Sequence, residues 1–169
     1  MTELLQTDAK RRKRAYRPKP PAELAGELMD IGHARLRTSQ SLGHALEELC
    51  RHGLPELPVV DEEDNLVGTF GAEDALKMCV PEHLLWVDEL SGPERLDELG
   101  KVLGPEMKRP LGDVMLVGGQ SLTVSESTPL GQVARLMVKN TARLAMVLER
   151  RELRGVITAR KLLARMLGH

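Results

Sequence analysis

Residues 57–76, LPVVDEEDNLVGTFGAEDAL, decide the fold, because residues 145–163, AMVLERRELRGVITARKLL, say nearly the same thing again. Each stretch opens on a short apolar strand, Leu57-Pro58-Val59-Val60 or Ala145-Met146-Val147-Leu148, and reverses through a charged turn at 61–65 or 150–152. Each then enters a second strand with a glycine just inside it, Gly68 or Gly155, and closes on a helix at about 71–79 or 158–167. Two apolar runs around a short polar turn read as a hairpin. Upstream of the first hairpin, Leu42, Ala45, Leu46, Leu49 and Cys50 fall at the i, i+3, i+4, i+7, i+8 spacing of one helix face. Leu130, Val133, Ala134, Met137 and Val138 repeat that face 88 residues later.

Moving further outward, the first long helix is expected to begin at Ser39 or Ser41 and to stop before Gly53, a good residue just past a helix end. The second is expected to start at Thr128-Pro129, with Thr as cap and Pro in the first turn, and to end near Asn140. Short strands are predicted near 35–38 and 122–125. Short helices precede them at 22–30 and 111–115, where Leu28-Met29 matches Val114-Met115. The chain is therefore read as α/β (α+β), a duplicated βαββα unit. One copy cannot bury its apolar face alone; two can pack around a shared pseudo-twofold axis, and the seam between them is the natural place for a ligand.

These boundaries divide the 169 residues into a tail (1–21), a first repeat (22–79), a linker (80–110) and a second repeat (111–169). At this length a two-part domain buries roughly 70% of its unfolded surface. The tail carries KRRKRAYRPKPP at 10–21, basic and proline-punctuated with no apolar period, and reads as disordered. A solvated leader is its plain reading; an arm gripping phosphates in a salt-sensitive, sequence-independent way is the alternative. In the linker, Ser91-Gly-Pro-Glu94 reads as a capping box opening a helix that Gly104-Pro105 stops. Leu96, Leu99, Val102 and Leu103 form its stripe, and Leu84, Leu85 and Trp86 make an apolar cluster upstream. This insert is expected to pack on the outside of the repeats rather than over a ligand cleft or a dimer seam.

Composition narrows the function classes. Tyr16, Phe70 and Trp86 are the only aromatics, too few for the stacking platforms of single-strand nucleic-acid binders. The formal net charge of −1 gives the body no general pull on DNA or anionic membranes. Cys50 and Cys79 are isolated, and Cys50 lies on the apolar helix stripe, so it reads as a small core residue in a reducing, cytoplasmic compartment. The N-terminus lacks the apolar stretch of a signal peptide, and no run is long enough to span a bilayer. No phosphate loop, GxSxG, HExxH or paired-cysteine metal spacing is present, so neither an enzyme nor a metal site is expected. His44 and His52 stand eight residues apart on one helix, about 12 Å along its axis and too far for one ion. His33, His83 and His169 are scattered, and all five are read as surface residues.

From Leu28-Met29 through LPVV to GTFGAEDAL, and again from Val114-Met115 through LAMVL to GVITARKLL, the chain resembles a tandem pair of cystathionine-β-synthase (CBS) domains over about 22–167, the insert excepted. That resemblance implies two repeats packed into one module whose clefts bind adenine nucleotides such as AMP, ADP, ATP or S-adenosylmethionine. It also implies a homodimer, often a flat disc, and a regulatory or energy-sensing role in place of catalysis. In the family the last turn of each repeat reads Gly-h-h-Thr-x-x-Asp, with h an apolar residue. The Thr caps the helix, the Asp reaches back to a free amide, and their remaining oxygens can hold a ribose. A helix start also favours a phosphate.

Both copies depart from this pattern, in complementary ways. Copy one keeps Asp74 but has Gly71 in the Thr position; copy two keeps Thr158 but has Lys161 in the Asp position. Each lost partner is worth roughly 1–3 kcal/mol. Arg160 and Lys161 stand in the first turn of the last helix, where cations are disfavoured by about 0.3–1 kcal/mol each, which an anion lying against them would relieve. Arg143 matches a position where family members place a phosphate-contacting base. The adenine is expected against Leu36, Thr38 and Val124 of the first strands, and against Pro58 and Met146 with the residues that lead into them. Two other readings stand beside nucleotide sensing: a dimerisation or interaction module whose clefts bind nothing, and a module tethered to nucleic acid by its basic tail.

Overall fold

The computed structural model describes residues 22–80, 96–115 and 121–169. The basic tail, the Ser91–Glu94 capping box and the cluster around Trp86 lie outside the described residues. The first repeat runs α1 (Ala25–Leu28), β1 (Leu36–Arg37), α2 (Leu42–His52), β2 (Glu56–Val60), β3 (Leu66–Gly71) and α3 (Ala72–Cys79). The insert contributes α4 (Leu96–Leu103) and a 3₁₀ segment (Gly104–Lys108). The second repeat follows as α5 (Leu111–Val114), β4 (Leu122–Ser125), α6 (Leu130–Lys139), β5 (Leu144–Glu149), β6 (Glu152–Thr158) and α7 (Ala159–Met166).

Each repeat builds its own three-stranded sheet, β1-β2-β3 and β4-β5-β6, with a parallel pair followed by an antiparallel hairpin. The duplication extends to the irregularities, because the register slips between Val59 and Val60 in one hairpin and between Val147 and Leu148 in the other. Strand alternation sorts the side chains. Leu57, Val59 and Phe70 point into the core of the first repeat, and Ala145, Val147 and Ile157 into that of the second. A third cluster, Val60, Leu144, Met146, Leu153 and Val156, joins the two sheets. Fully burying one such aliphatic side chain contributes about 1.5–3 kcal/mol. The hairpin turns also pair with each other, the Leu66 amide donating to the Arg151 carbonyl (3.1 Å) and the Leu153 amide to that of Asp64 (3.2 Å).

The opening helices are exchanged. In α1 the Ala25 and Gly26 amides donate to the Thr128 and Glu126 carbonyls of the second repeat, at 2.8 and 2.9 Å, and Ala25 is wholly buried in that repeat's core. In α5 the Leu111 and Gly112 amides donate to the Gln40 and Thr38 carbonyls of the first repeat, at 2.7 and 2.9 Å, and Leu111 is buried there. The chain leaving α1 then runs along β6, where Asp30 and Val156 exchange both backbone bonds (2.8 and 3.1 Å). This is why each second hairpin strand carries a glycine. A Cβ at Gly155 would sit 2.9 Å from the Asp30 carbonyl oxygen and 3.0 Å from the Met29 side chain, and one at Gly68 would press Met115.

Several sequence expectations are corrected. Pro129 is the N-cap residue of α6, not its first helical residue, and Thr128 accepts instead from the Ser125 amide (3.1 Å). Cys50 is exposed and Val138 is 82% exposed, whereas Ala45, Leu49, Val133 and Met137 are buried. Eight residues at 100° each overshoot two turns by about 80°, which carries the last member of the stripe off the buried face. His33 is half-buried and not a surface residue: its Nδ1 lies 2.9 Å from the Asp30 carbonyl oxygen, and its Nε2 is buried without a partner among the described residues. Burial holds its pKa below the usual 6.5. The described part of the insert packs on the helices of the first repeat, with α4 on α3 and the 3₁₀ segment on α2, where Met107 lies on the bare backbone of Gly43.

Gly155→Ala is expected to destabilise the chain by about 1–3 kcal/mol, since backbone must move to admit the methyl group. Gly100→Ala, in α4 with nothing within 4 Å, is expected to be neutral or stabilising by up to about 1 kcal/mol. Urea unfolding midpoints of the two variants check the contrast.

Candidate nucleotide cleft between the repeats

Each repeat forms the same corner. In the first, Gly53 ends α2 in the left-handed region (φ 58°), Leu54-Pro55 leads into β2, and the Pro55 carbonyl accepts from the Ala72 amide at the start of α3 (3.2 Å). In the second, Thr141 (φ 51°) follows α6, Ala142-Arg143 leads into β5, and the Arg143 carbonyl accepts from the Ala159 amide at the start of α7 (3.3 Å). Parts of both corners, Gly53–Glu56 from one and Arg143, Leu144, Thr158, Ala159 and Arg160 from the other, line a cleft of about 260 Å³. That volume lies just under the usual range of small-molecule sites.

Glycine at 71 has a steric cause. A Cβ there would stand 2.6 Å from the Pro55 carbonyl oxygen and 3.1 Å from the Glu56 Cβ, so the first corner has no room for a capping threonine. Asp74 takes over the capping, its Oδ2 accepting from the Gly71 amide at 2.9 Å. In the second corner Thr158 Oγ1 accepts from the Lys161 amide at 3.1 Å, the capping bond expected from its position.

The charges are unequal. The second corner brings Arg143 and Arg160 to the cleft with Lys161 one residue on, and neither Arg160 nor Lys161 has an ion-pair partner among the described residues. The first corner presents Glu56 and, on α3, Glu73. Arg143 Nη2 donates to Glu73 Oε1 at 3.0 Å, an exposed ion pair spanning the cleft from one repeat to the other. Glu56 is half-buried, and burial raises its pKa above the ordinary 4.5; a hydrogen bond from Thr69 and the Arg143 charge oppose that rise, while Asp74 and Glu73 add to it.

Of the residues singled out from the sequence, Arg143, Thr158 and Arg160 line this cleft. Asp74 and Lys161 stand in the first turns of the two helices beside it. Leu36 and Val124 are core residues of the first and second repeats. Met146 is buried in the cluster that joins the two sheets, and Pro58 in β2 is fully buried. Thr38 packs on Gly112 of the exchanged α5. Glu56 falls inside the stretch expected to lead up to the base, but nothing in the local sequence marks its carboxylate as a neighbour of Arg143. No group of His, Cys, Asp and Glu able to hold a metal occurs among the described residues.

The profile of the CBS domain matches residues 25–80 and 110–168, two copies covering more than half of the sequence. The chain belongs to the CBS domain family. Solved structures agree with this tandem CBS architecture. CBSX2 from Arabidopsis thaliana is 26% identical, with a TM-score of 0.68 over 87% of this chain and 96% of its own. A structure of CBSX2 in complex with AMP is 25% identical, with a TM-score of 0.64 over 86% and 96%. A CBS domain-containing protein from Kribbella flavida shares the fold at 19% identity, with a TM-score of 0.68 over 86% and 99%. Comparison with curated proteins finds no match. Among the described residues, no helix of this CBS pair is long and apolar enough to cross a membrane.

Because the folded-state pKa of Glu56 is raised above its unfolded value, the native state binds more protons than the unfolded chain between those two pKa values. Glu56 therefore costs stability at neutral pH, and the cost vanishes on protonation. Glu56→Gln is expected to raise the melting temperature at pH 7 and to leave it nearly unchanged at pH 4, which thermal melts at the two pH values check.

Proposed function

We propose that this CBS pair is a regulatory module that binds an adenine nucleotide between its repeats, its phosphate at Arg143 and Arg160. The observation that carries the reading is the meeting of these two guanidinium groups with the start of α7 in one cleft formed by both repeats. Among the described residues, the Arg143 side chain is held by one exposed pair, with Glu73, worth about 0–1 kcal/mol, so a phosphate can displace that carboxylate at little cost. The charge-assisted bonds gained in exchange are roughly twice as strong as neutral ones. Lys161 and the Thr158 hydroxyl stand at the same helix end, and Leu54, Pro55 and Leu144 supply apolar surface for the base. On the first corner, Asp74 spends one oxygen on its cap and has the other for a ribose hydroxyl. A CBS pair similar in fold, CBSX2, is found in complex with AMP, which supports the ligand class.

Binding here bridges the two repeats. It biases their packing, and through it a paired assembly, only to the extent that the nucleotide prefers one arrangement over the other. The module is read as regulatory, not catalytic. One observation favours a second reading, an interaction module that binds no nucleotide: the cleft is small and its Arg143 already has an internal carboxylate partner. Attachment to nucleic acid through the basic tail rests on residues 10–21 of the sequence alone.

Calorimetric titration with AMP, ATP and S-adenosylmethionine is expected to show binding of at least one of them, weakened about 5- to 50-fold in Arg143→Ala. Heat and thermal shift absent for all three ligands would leave only the second reading. Binding unchanged in Arg143→Ala, Lys161→Ala and Thr158→Ala would place the nucleotide elsewhere.

A further inference from the structure

Among the described residues that line the cleft, Glu56 alone is acidic, and its counterpart in the second repeat is the apolar Leu144. Glu56 opens β2 with its backbone paired to Gly71, which fixes it in the cleft with Arg143 and Arg160. Glu73 is placed differently. Its side chain is 67% exposed and stays solvated when Arg143 lets go of it. The half-buried Glu56 carboxylate has no such exit, so any anion brought to Arg143 arrives beside a charge that cannot leave.

The groups that act on Glu56 come from three sides. Thr69 on β3 donates a hydrogen bond to it, Glu73 and Asp74 on α3 repel its charge, and Arg143 across the cleft attracts it. His33 and Arg35 precede the neighbouring strand β1, and the groups acting on His33 are Asp30 and Arg35, not Glu56. Burial outweighs the favourable contacts and already holds the Glu56 pKa above the ordinary 4.5. A phosphate shifts this balance further in one direction. By engaging Arg143 it occupies the cation that keeps Glu56 ionised, and it adds close to two negative charges to a partly desolvated space. Both effects favour the neutral acid.

We propose that Glu56 couples the binding of a phosphate-bearing nucleotide in this cleft to the uptake of a proton, so that the module reads nucleotide and acidity together. This rests on the reading of the cleft as a nucleotide site and adds the regulation of that site. Linkage fixes the sign. Because binding raises the pKa of Glu56, affinity is highest at low pH, where the group is protonated in both states. It falls as pH rises from the free toward the bound pKa, and levels off above the latter. The second corner has no such group, since Leu144 stands in the matching place. The effect also sorts ligands by charge: S-adenosylmethionine brings a sulfonium cation and no phosphate, so its binding carries no uptake at Glu56.

Calorimetric titration of the full chain with AMP and ATP, in buffers of different ionisation enthalpy at about pH 5.5 and about pH 7.5, counts the protons exchanged on binding. At the lower pH the parent is expected to take up a fraction of a proton more than Glu56→Gln. The nucleotide's own second phosphate proton, which titrates at about 6, cancels in that difference. At the higher pH Glu56→Gln is expected to bind about 3- to 30-fold more tightly than the parent, an advantage that shrinks at the lower pH. Glu56→Leu, which installs the residue of the second corner, is expected to behave as Glu56→Gln does and serves if that variant fails to fold. Proton counts equal in parent and variants, or an affinity ratio that stays the same at both pH values, would overturn the linkage and leave the nucleotide reading standing. Heat absent for AMP, ATP and S-adenosylmethionine at both pH values would overturn the two together.

Discussion

Everything in this molecule hangs on the exchange of the opening helices. With α1 on the second repeat and α5 on the first, neither hydrophobic core is complete without a segment from the other copy. The exchange is fixed by main-chain bonds of 2.7–2.9 Å that demand close approach. Glycines stand where the backbones meet: Gly26 against Glu126, Gly112 against Thr38, and Gly155 against the Asp30 carbonyl. Loosening one repeat exposes core in both, so the pair is expected to open as one cooperative unit. The cleft inherits this rigidity, because the corners that line it are the ends of strands that the exchange holds together.

Near-identical backbones carry unlike chemistry at those corners. Position for position, Pro55 faces Arg143, Glu56 faces Leu144, Gly71 faces Thr158 and Asp74 faces Lys161. The first helix start agrees with its dipole, since Glu73 and Asp74 sit in its first turn and Asp74 closes the cap. The second opposes its dipole with Arg160 and Lys161, at about 0.3–1 kcal/mol each. The Glu73–Arg143 pair lets the acidic corner neutralise part of the basic one across the gap. At a solvated distance of 3.0 Å this is a contact that a better anion can replace, not one that holds the repeats together.

The strands, hairpins and long helices were legible because their signals are local. Ser41 and Gly53 cap α2 as their residue types demand, and Leu122–Ser125 forms β4 within its expected bounds. The duplicated apolar pattern then implied the pairing of halves. What sequence could not reveal was which half each opening helix would join. Leu28-Met29 and Val114-Met115 look alike, and either core accepts an aliphatic side chain, so only backbone geometry distinguishes the two. The site divides in the same way. Thr158 and Asp74 were recognisable as capping residues, and their capping bonds are seen. Leu36 and Val124, expected beside a base, lie in the two cores, because a two- to four-residue strand beside a sheet buries its inward side chains whether or not a ligand lies nearby.

The exposed Val138 and the covered Gly43 show why pseudo-symmetry is a constraint on cores and not on surfaces. Inside, each position must fit its partner from the other copy, so Ala45 and Val133, or Leu49 and Met137, stay apolar and buried in both repeats. On the outer faces of the helices no such fit between cores is required. One carries a covering helix and a mostly acidic set of side chains, the other is uncovered there and basic. Charges placed there cost little in the folded monomer because water solvates them. A surface freed from folding requirements is where a duplicated domain can make its two halves different.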